Sequence, residues 1–237
     1  MFHVEHKEEE NMDYTQIAQC LEEHGVPHLA AYQMQRYALL LQEANRTRNL
    51  TRIKDPEEMV YKHLLDSISV EKYIPINATV LDVGTGAGLP GIPLVLLRPD
   101  IKISMMDSTK SKLDFVAEVS QMLNIRAKFI WGRAEEFAKK NRDCYDIVLS
   151  RAVATLPLLL ELCGAFVKKG GYVIAYKGRL AAEEALEATR AANHMGLEKE
   201  MIRDAEIPGL DHKLIFYKKT SLGNLPRTWG AMKRKPL

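Results

Sequence analysis

Val80-Leu81-Asp82-Val83-Gly84-Thr85-Gly86-Ala87-Gly88-Leu89-Pro90-Gly91 decides the fold. An apolar run ends at Val83, three glycines alternate behind it, and Ile92 opens a second apolar run. Glycine is needed where the backbone turns with positive φ, or where a ligand comes close to the main chain. The stretch therefore predicts a buried strand, a tight turn and a helix. A ligand is expected across the carboxyl end of that strand, the usual place in an open α/β sheet. A turn without a ligand leaves the alternating glycines unexplained.

Two ligands fit this turn. Gly86, Gly88 and Gly91 match G-x-G-x-x-G, the dinucleotide fingerprint. Asp107 follows about 20 residues on, where a ribose-binding acid is expected. Two details oppose a dinucleotide. The strand ends at Val83, so the first turn glycine is Gly84 and the frame is Asp-x-Gly-x-Gly-x-Gly. Asp82 also stands close to where a pyrophosphate needs positive potential. A ligand with an amino group and a sulfonium, as in S-adenosylmethionine, tolerates that acid. Asp82, Gly84, Gly86 and Gly88 are the expected cofactor-binding residues of this loop. Asp107 ends the second strand. Its carboxylate can accept both ribose hydroxyls of an adenosine, cap the helix starting near Lys110, or do both.

Short β-branched runs alternate with helical segments beyond the loop. Strands are predicted at 79–83, 102–106, 127–131, 145–149 and 172–176, with helices near 92–98, 110–123, 135–139, 156–166 and 181–195. This alternation implies a mainly parallel sheet covered on both faces. Two further strand-like runs, 198–207 and 213–218, are joined too closely for a parallel crossover and permit a hairpin. The fold class predicted is α/β: a class I methyltransferase (Rossmann-like) core, a mainly parallel seven-stranded sheet with an antiparallel last strand. In that architecture the third strand leads to the adenine ring. Ala134 and Glu135 are therefore expected to meet it, through the backbone or the Glu carboxylate. The alternative is that Glu135 and Glu136 only favour a helix N-terminus.

Ahead of the core, apolar spacing predicts two helices between 13 and 45, separated at Gly25-Val26-Pro27. A polar loop at 45–55 follows, then a helix capped by Asp55, begun by Pro56 and reaching Tyr73. The expected division is a disordered acidic tail at 1–12 (Met12 being a candidate start), a helical extension at 13–76, the cofactor-binding core at 77–220, and a basic tail at 221–237.

The chain has 237 residues, 46% hydrophobic and 27% charged, which bounds it to a globular domain with a substantial core. Its net charge of +2 names no partner. The stretch 212–237, however, holds seven lysines and arginines and no acid, which fits a polyanion as well as a solvated terminus. Cys20, Cys144 and Cys163 are widely spaced, so neither a disulfide framework nor a metal site is expected. No apolar run reaches the ~18 residues of a membrane helix. The N-terminus lacks the pattern of a signal peptide. A cytoplasmic protein is expected, and a monomer, since no heptad repeat is present.

At this point the residues resemble a known family. The run Leu81 to Pro93 is similar to that of the bacterial small-subunit ribosomal RNA guanine-N7 methyltransferases, the glucose-inhibited division protein B family. Asn49-Leu50-Thr51 and His63-Leu64-Leu65-Asp66-Ser67 resemble its N-terminal helical signatures. Asp107-Ser108, Arg133-Ala134-Glu135-Glu136, Ser150-Arg151-Ala152-Val153-Ala154 and Tyr176-Lys177-Gly178 follow in order. The glycine loop is shared by many methyltransferases, whereas the Asn-Leu-Thr, His-x-x-Asp-Ser and Ser-Arg-Ala-x-Ala elements together are specific. The resemblance implies methyl transfer from S-adenosylmethionine to N7 of one guanine in 16S rRNA, with the 30S subunit or an assembly intermediate as partner. It implies cofactor contacts at Gly84, Leu89, Ala134, Glu135 and Arg151, with Asp107 on the ribose. The chain departs from the family at Ala44, where Trp is frequent, and in the tail Pro226-Arg227-Thr228-Trp229-Gly230.

The chemistry agrees. Guanine N7 has a free lone pair and no proton, so its methylation needs alignment and charge stabilisation rather than a general base. No Asn-Pro-Pro-Tyr or Asp-Pro-Pro-Tyr run is present, and no cysteine ends a strand. Arg151 and Lys177 follow the fourth and fifth strands and are the expected catalytic residues. The Arg151 fork suits guanine edges, a phosphate or the cofactor. Lys177 suits a phosphate or O6, or is a plain surface cation. His63 and Asp66 share a helix face and are read as joining the extension to the core. Trp229 offers a ring for base stacking. The alternatives are an NAD-dependent oxidoreductase built on the 86–91 glycines, a non-catalytic RNA-binding assembly factor, and a small-molecule methyltransferase.

Overall fold

Gly25 takes φ +82° and ends α1 (Ile17–Glu23), the first α-helix among the described residues, before α2 (His28–Arg48) begins. The computed structural model describes residues 12–237. Most of the expected acidic tail, 1–11, lies outside the described residues, and Met12 packs half-buried against the core. Along α2, Ala30, Ala31, Met34, Tyr37, Ala38 and Leu41 form one buried stripe. The helix outruns its predicted end at residue 45 by three residues. It stops where Asn49 turns left-handed at φ 48°.

The next helix is one continuous element of three geometries. α3 (Pro56–Met59) leads into a π-helical stretch, Val60–Leu65, and then α4 (Asp66–Ile68). Its start is as predicted: Pro56 opens it, and the Asp55 carboxylate accepts the Glu58 N–H at 2.8 Å. It ends sooner than predicted, because a short 3-10 turn, Glu71–Tyr73, replaces its last stretch.

The core alternates strand and helix. Its elements are β1 (Thr79–Val83), α5 (Gly91–Leu97), β2 (Lys102–Asp107), α6 (Lys110–Met122), β3 (Ala127–Trp131), α7 (Ala134–Phe137), β4 (Tyr145–Arg151), α8 (Leu156–Cys163) and β5 (Val167–Lys177). Then come α9 (Ala181–Glu187), α10 (Thr189–His194), β6 (Leu197–Asp204), β7 (Lys213–Lys219) and α11 (Trp229–Arg234). The sheet order is β3-β2-β1-β4-β5-β7-β6. β1 to β5 pair in parallel, and β7 inserts antiparallel between β5 and β6. The β6–β7 hairpin follows from its short connection. The helix predicted at 181–195 is instead split at Ala188, where the Thr189 hydroxyl bonds the Leu186 carbonyl.

Side chains alternate across the sheet. Ile103, Met105, Ile147, Leu149 and Ile174 pack with α2 and α5 in one apolar cluster. Leu81, Val83, Val148 and Val173 face the other way, onto α8 and α10. The chain winds outward in opposite directions from β1 and β4, so the crevice at their carboxyl ends is the topological switch point. Among the described residues no helix is long and apolar enough to cross a membrane, and no group of three or more His, Cys, Asp or Glu is placed to hold a metal ion.

The basic C-terminal stretch is docked. Glu161 of α8 is 1% exposed and accepts from Arg227 three times: its N–H at 2.9 Å, Nε at 2.7 Å and a terminal nitrogen at 2.8 Å. Met232 of α11 is buried in the same apolar cluster as the α8 leucines. Lys219 is also buried, donating to the carbonyls of Gly164 and Met195 at the ends of α8 and α10. Charges counted in the sequence as available to a polyanion are thus partly structural. Burial raises the Glu161 carboxyl, but hydrogen bonds from Arg227 outweigh it and hold the group below its ordinary 4.5. The pair's contribution is therefore present above that pH and lost as pH falls through the lowered value. Arg227→Ala is expected to lower the unfolding free energy by about 3 kcal/mol in urea titration at pH 7, since Glu161 is left buried and unpaired. A loss below about 0.5 kcal/mol would show that the tail is not held by this pair.

Candidate active site

The carboxyl ends of β1, β2 and β4, with the β3–α7 turn, open into a cleft of about 390 Å³. That volume is within the range of small-molecule sites, about 300–1,000 Å³. A larger groove, about 1010 Å³, lies at the opposite ends of the strands beside Thr79, Lys102, Ala127 and Tyr145. It gathers none of the loop glycines, and open α/β sheets receive ligands at the carboxyl end.

The glycine loop forms the floor of the cleft. Gly84 and Thr85 both donate N–H groups to the Met106 carbonyl at 2.9 Å, which turns the chain back over β2. Gly84 takes φ +77°, and a Cβ there would lie 2.3 Å from Val153 Cγ2. Gly86 has open space around it but takes φ +59°, so glycine serves its backbone shape. Asp107 orders this loop. Its Oδ2 accepts the Gly86 N–H at 2.9 Å and its Oδ1 the Thr109 N–H at 2.7 Å. Each oxygen keeps a second lone pair, and Asp107 lines the cleft. Ala134 and Glu135 form the far wall, with the buried Glu135 side chain making no ion pair among the described residues.

The other wall is a polar network of which sequence reading named Arg151, His63 and Asp66 but not the bonds between them. Arg151 donates one terminal nitrogen to Asp66 Oδ2 at 2.8 Å and the other to His63 Nδ1 at 2.8 Å. Asp66 is 1% exposed, and its Oδ1 faces His212 Nδ1 at 3.0 Å. His63 Nε2 meets the Thr51 hydroxyl at 2.8 Å. His63 and Asp66 do join the extension to the core, and they do so through Arg151. Leu50 and Thr51 also line the cleft. The Asn45 side chain holds them there, accepting from both their N–H groups at 2.6 and 2.9 Å. Tyr37 of α2 adds a bond to the glycine loop, its hydroxyl donating to the Ala87 carbonyl at 2.9 Å.

Gly84, Gly86, Leu89, Asp107, Ala134, Glu135 and Arg151 therefore converge on the cleft. Three expected residues do not line it. Asp82 lies fully buried beneath the loop, its Oδ2 accepting the Gly91 N–H at 3.1 Å. Burial pushes this carboxyl up to about 7. Its Oδ1 and the Thr85 hydroxyl are buried without hydrogen-bond partners. Gly88 is pressed against Ile92, where a Cβ would come within 2.5 Å. Lys177 is turned away and donates to Glu184 at 2.7 Å and to the Ala154 carbonyl at 3.0 Å. Its charge is spent on α9 and on the loop after β4, which is why it does not reach the cleft. Trp229 lines the cleft, with the Arg133 and Lys233 cations 5.7 and 5.6 Å from its ring centroid.

Arg151 at 2.8 Å and the Lys62 carbonyl at 3.0 Å both face His63 Nδ1; arginine donates only, so the shorter Arg151 contact favours an accepting Nδ1 with the proton on Nε2. Burial, then the Arg151 charge, lowers the His63 pKa to about 4. The unfolded histidine takes up a proton near pH 6.5, so the stability from this neutral ring is full above that pH and is lost as pH falls towards 4. Imidazole ¹⁵N shifts should show the Nε2–H tautomer from pH 8 to 5.5, well above that titration. Protonation with a midpoint near 6.5 would contradict the network.

Comparisons with known proteins give the family and the fold. A family model described as GidB, rRNA small subunit methyltransferase G, matches residues 30–213. The chain is 41% identical over 210 residues to ribosomal RNA small subunit methyltransferase G of Clostridium botulinum strain Loch Maree, covering 85% of this chain and 88% of that one. It is 41% identical over 226 residues to the protein of the same name from Thermoanaerobacter pseudethanolicus, covering 92% of each. Among solved structures, a SAM-dependent methyltransferase from Aquifex aeolicus superposes with TM-score 0.55 at 17% identity, covering 70% and 94% of the two chains. TYW2 of M. jannaschii, in complex with AdoMet, superposes with TM-score 0.52 at 16% identity over 65% of this chain and 76% of that one. At such identities the likeness concerns the fold, and the seven-stranded sheet is that of a class I methyltransferase. By the extent of its match to the family model and its identity to these relatives, the chain belongs to the GidB family, rRNA small subunit methyltransferase G.

Proposed function

We propose that this protein transfers a methyl group from S-adenosylmethionine to N7 of one guanine in 16S rRNA. It acts as a cytoplasmic monomer on the 30S subunit or an assembly intermediate. One observation carries the reading: the glycine loop, Asp107, Ala134–Glu135 and Arg151 border a single cleft in a chain of this family.

The cleft fits the cofactor. A Cβ at Gly84 would meet Val153 at 2.3 Å, so the cleft floor is bare backbone, and Asp107 borders it with lone pairs to spare. S-adenosylmethionine, when bound, supplies an electrophilic methyl group on sulfur. Asp107 receives the ribose hydroxyls on its spare lone pairs. Ala134 and Glu135 receive the adenine. Gly84, Gly86 and Leu89 hold the chain close beneath. Asp82 and Gly88 support the loop from below. Arg151 stands at the acceptor end with N–H groups left over from Asp66 and His63, which it offers to the cofactor carboxylate and the guanine edge. Asp66 balances its charge there, which favours a purine growing positive. Both His63 nitrogens are engaged, so His63 is no base, and N7 methylation needs none. Lys177 fixes the loop after β4 that carries Val153. We also propose the division into a helical extension at 13–76, a methyltransferase core at 77–220 and a docked basic tail at 221–237.

The dinucleotide reading is disfavoured by Asp82. Its carboxylate already bonds the Gly91 N–H, where a pyrophosphate would need a free donor. Incubation with tritiated S-adenosylmethionine and 30S subunits from a strain lacking this gene should label one guanine. The label should map to a site that cleaves as N7-methylguanine does. Gly84→Ala should lower S-adenosylmethionine affinity at least about tenfold, through its φ and its clash with Val153. No label on subunits or naked 16S rRNA, with cofactor binding intact, would overturn the RNA substrate.

A further inference from the structure

The α2–α3 connection carries a charge pattern that the cleft chemistry does not use. The last turn of α2 carries Arg46 and Arg48, and the connection itself carries Arg52 and Lys54 ahead of Asp55, the α3 cap. All four side chains are exposed. Arg46 and Arg48 make ion pairs with Glu43 and Glu118 at 2.9 Å, all at solvent-exposed positions. Such pairs hold weakly and yield to a stronger anion. Arg52 and Lys54 make no ion pair among the described residues.

The connection is built rather than loose. Asn45 fixes Leu50 and Thr51 through their N–H groups, and its own amide donates to the Thr51 carbonyl at 2.8 Å. The Ile53 N–H donates to the Thr51 hydroxyl at 3.1 Å, and the Tyr14 hydroxyl to the Lys54 carbonyl at 3.1 Å. Leu50 and Thr51 line the cleft beside His63, and Arg52 follows them directly in the chain. A rigid loop holds its charges in place before the ligand arrives, which lowers the entropic cost of binding.

We propose that this connection is the docking element for the phosphate backbone of single-stranded RNA flanking the methylated base. The inference rests on the rRNA methyltransferase reading for the identity of the polyanion. An RNA strand placing a base against Arg151 passes this connection, and each phosphate it brings there is met by a guanidinium or an ammonium. Arg52 and Lys54, which make no ion pair among the described residues, make the main contacts. Leu50 and Thr51 hold the phosphate contacts in register with the reacting base.

The test compares wild type, Arg52→Glu/Lys54→Glu, and Lys169→Glu/Lys199→Glu. The last pair reverses two exposed charges on β5 and β6, away from the cleft. Binding to a 16S rRNA transcript is titrated across salt concentrations, and S-adenosylmethionine binding is measured by calorimetry. The loop variant should bind the transcript at least about tenfold more weakly near 0.1 M salt. Its log–log salt slope should be shallower by about 1.4, as expected for two lost single-strand phosphate contacts. Cofactor affinity should stay at the wild-type value, and the β5–β6 variant should change neither quantity. Transcript binding and slope like wild type in the loop variant, or an equal loss in the β5–β6 variant, would overturn the proposal. Loop-dependent RNA binding by a wild-type chain that transfers no methyl group would uphold the docking element and remove the methyl-transfer reading.

Discussion

The Asp66 carboxylate, 1% exposed, meets the Arg151 guanidinium at 2.8 Å, and the site depends on that contact. A buried carboxylate without a partner is strongly unfavourable, so the fold must bring a cation to it. That cation ends β4, at the switch point of the sheet. The same guanidinium bonds His63, and through it Thr51 and the loop set by Asn45. The helical extension therefore belongs to the site. It supplies the counter-charge that places Arg151, the Tyr37 hydroxyl that ties the glycine loop, and one lip of the cleft.

The second constraint is the turn after β1. Asp82 bonds the start of α5 from below, and Asp107 bonds the loop from the side. Two carboxylates thus order a backbone that glycine alone would leave free. One is sealed in and the other borders the cleft. That difference separates a sealed loop-building acid from one open to the cleft, although both stand at strand ends.

Much of the fold was legible in the sequence. Strand positions followed from β-branched runs, and β1 and β3 matched their predicted bounds. The antiparallel β7 followed from the length of one connection. That Gly84, Gly86 and Asp107 border one cleft was legible because turn geometry and strand ends are local properties. Long-range partners were not. Arg151 and Asp66 lie 85 residues apart, and no periodicity announces their contact. Lys177 illustrates the same limit: its position after a strand suggested the cleft, but Glu184, seven residues on, claims its charge. The basic tail was read from composition, which could not show that Glu161 holds Arg227 or that Lys219 is buried. The split at Ala188 left no signal beyond Thr189, whose hydroxyl competes for a helix carbonyl.

The account's central claim is that Asp66 positions Arg151 for methyl transfer. A double-mutant cycle on Arg151→Lys and Asp66→Asn measures it most directly, read as kcat/KM for 30S methylation alongside unfolding free energy. The account predicts a coupling of about 2 kcal/mol in kcat/KM, within the range for residues in direct contact. Effects on kcat/KM that add to within about 0.5 kcal/mol, with both single variants folded, would contradict it.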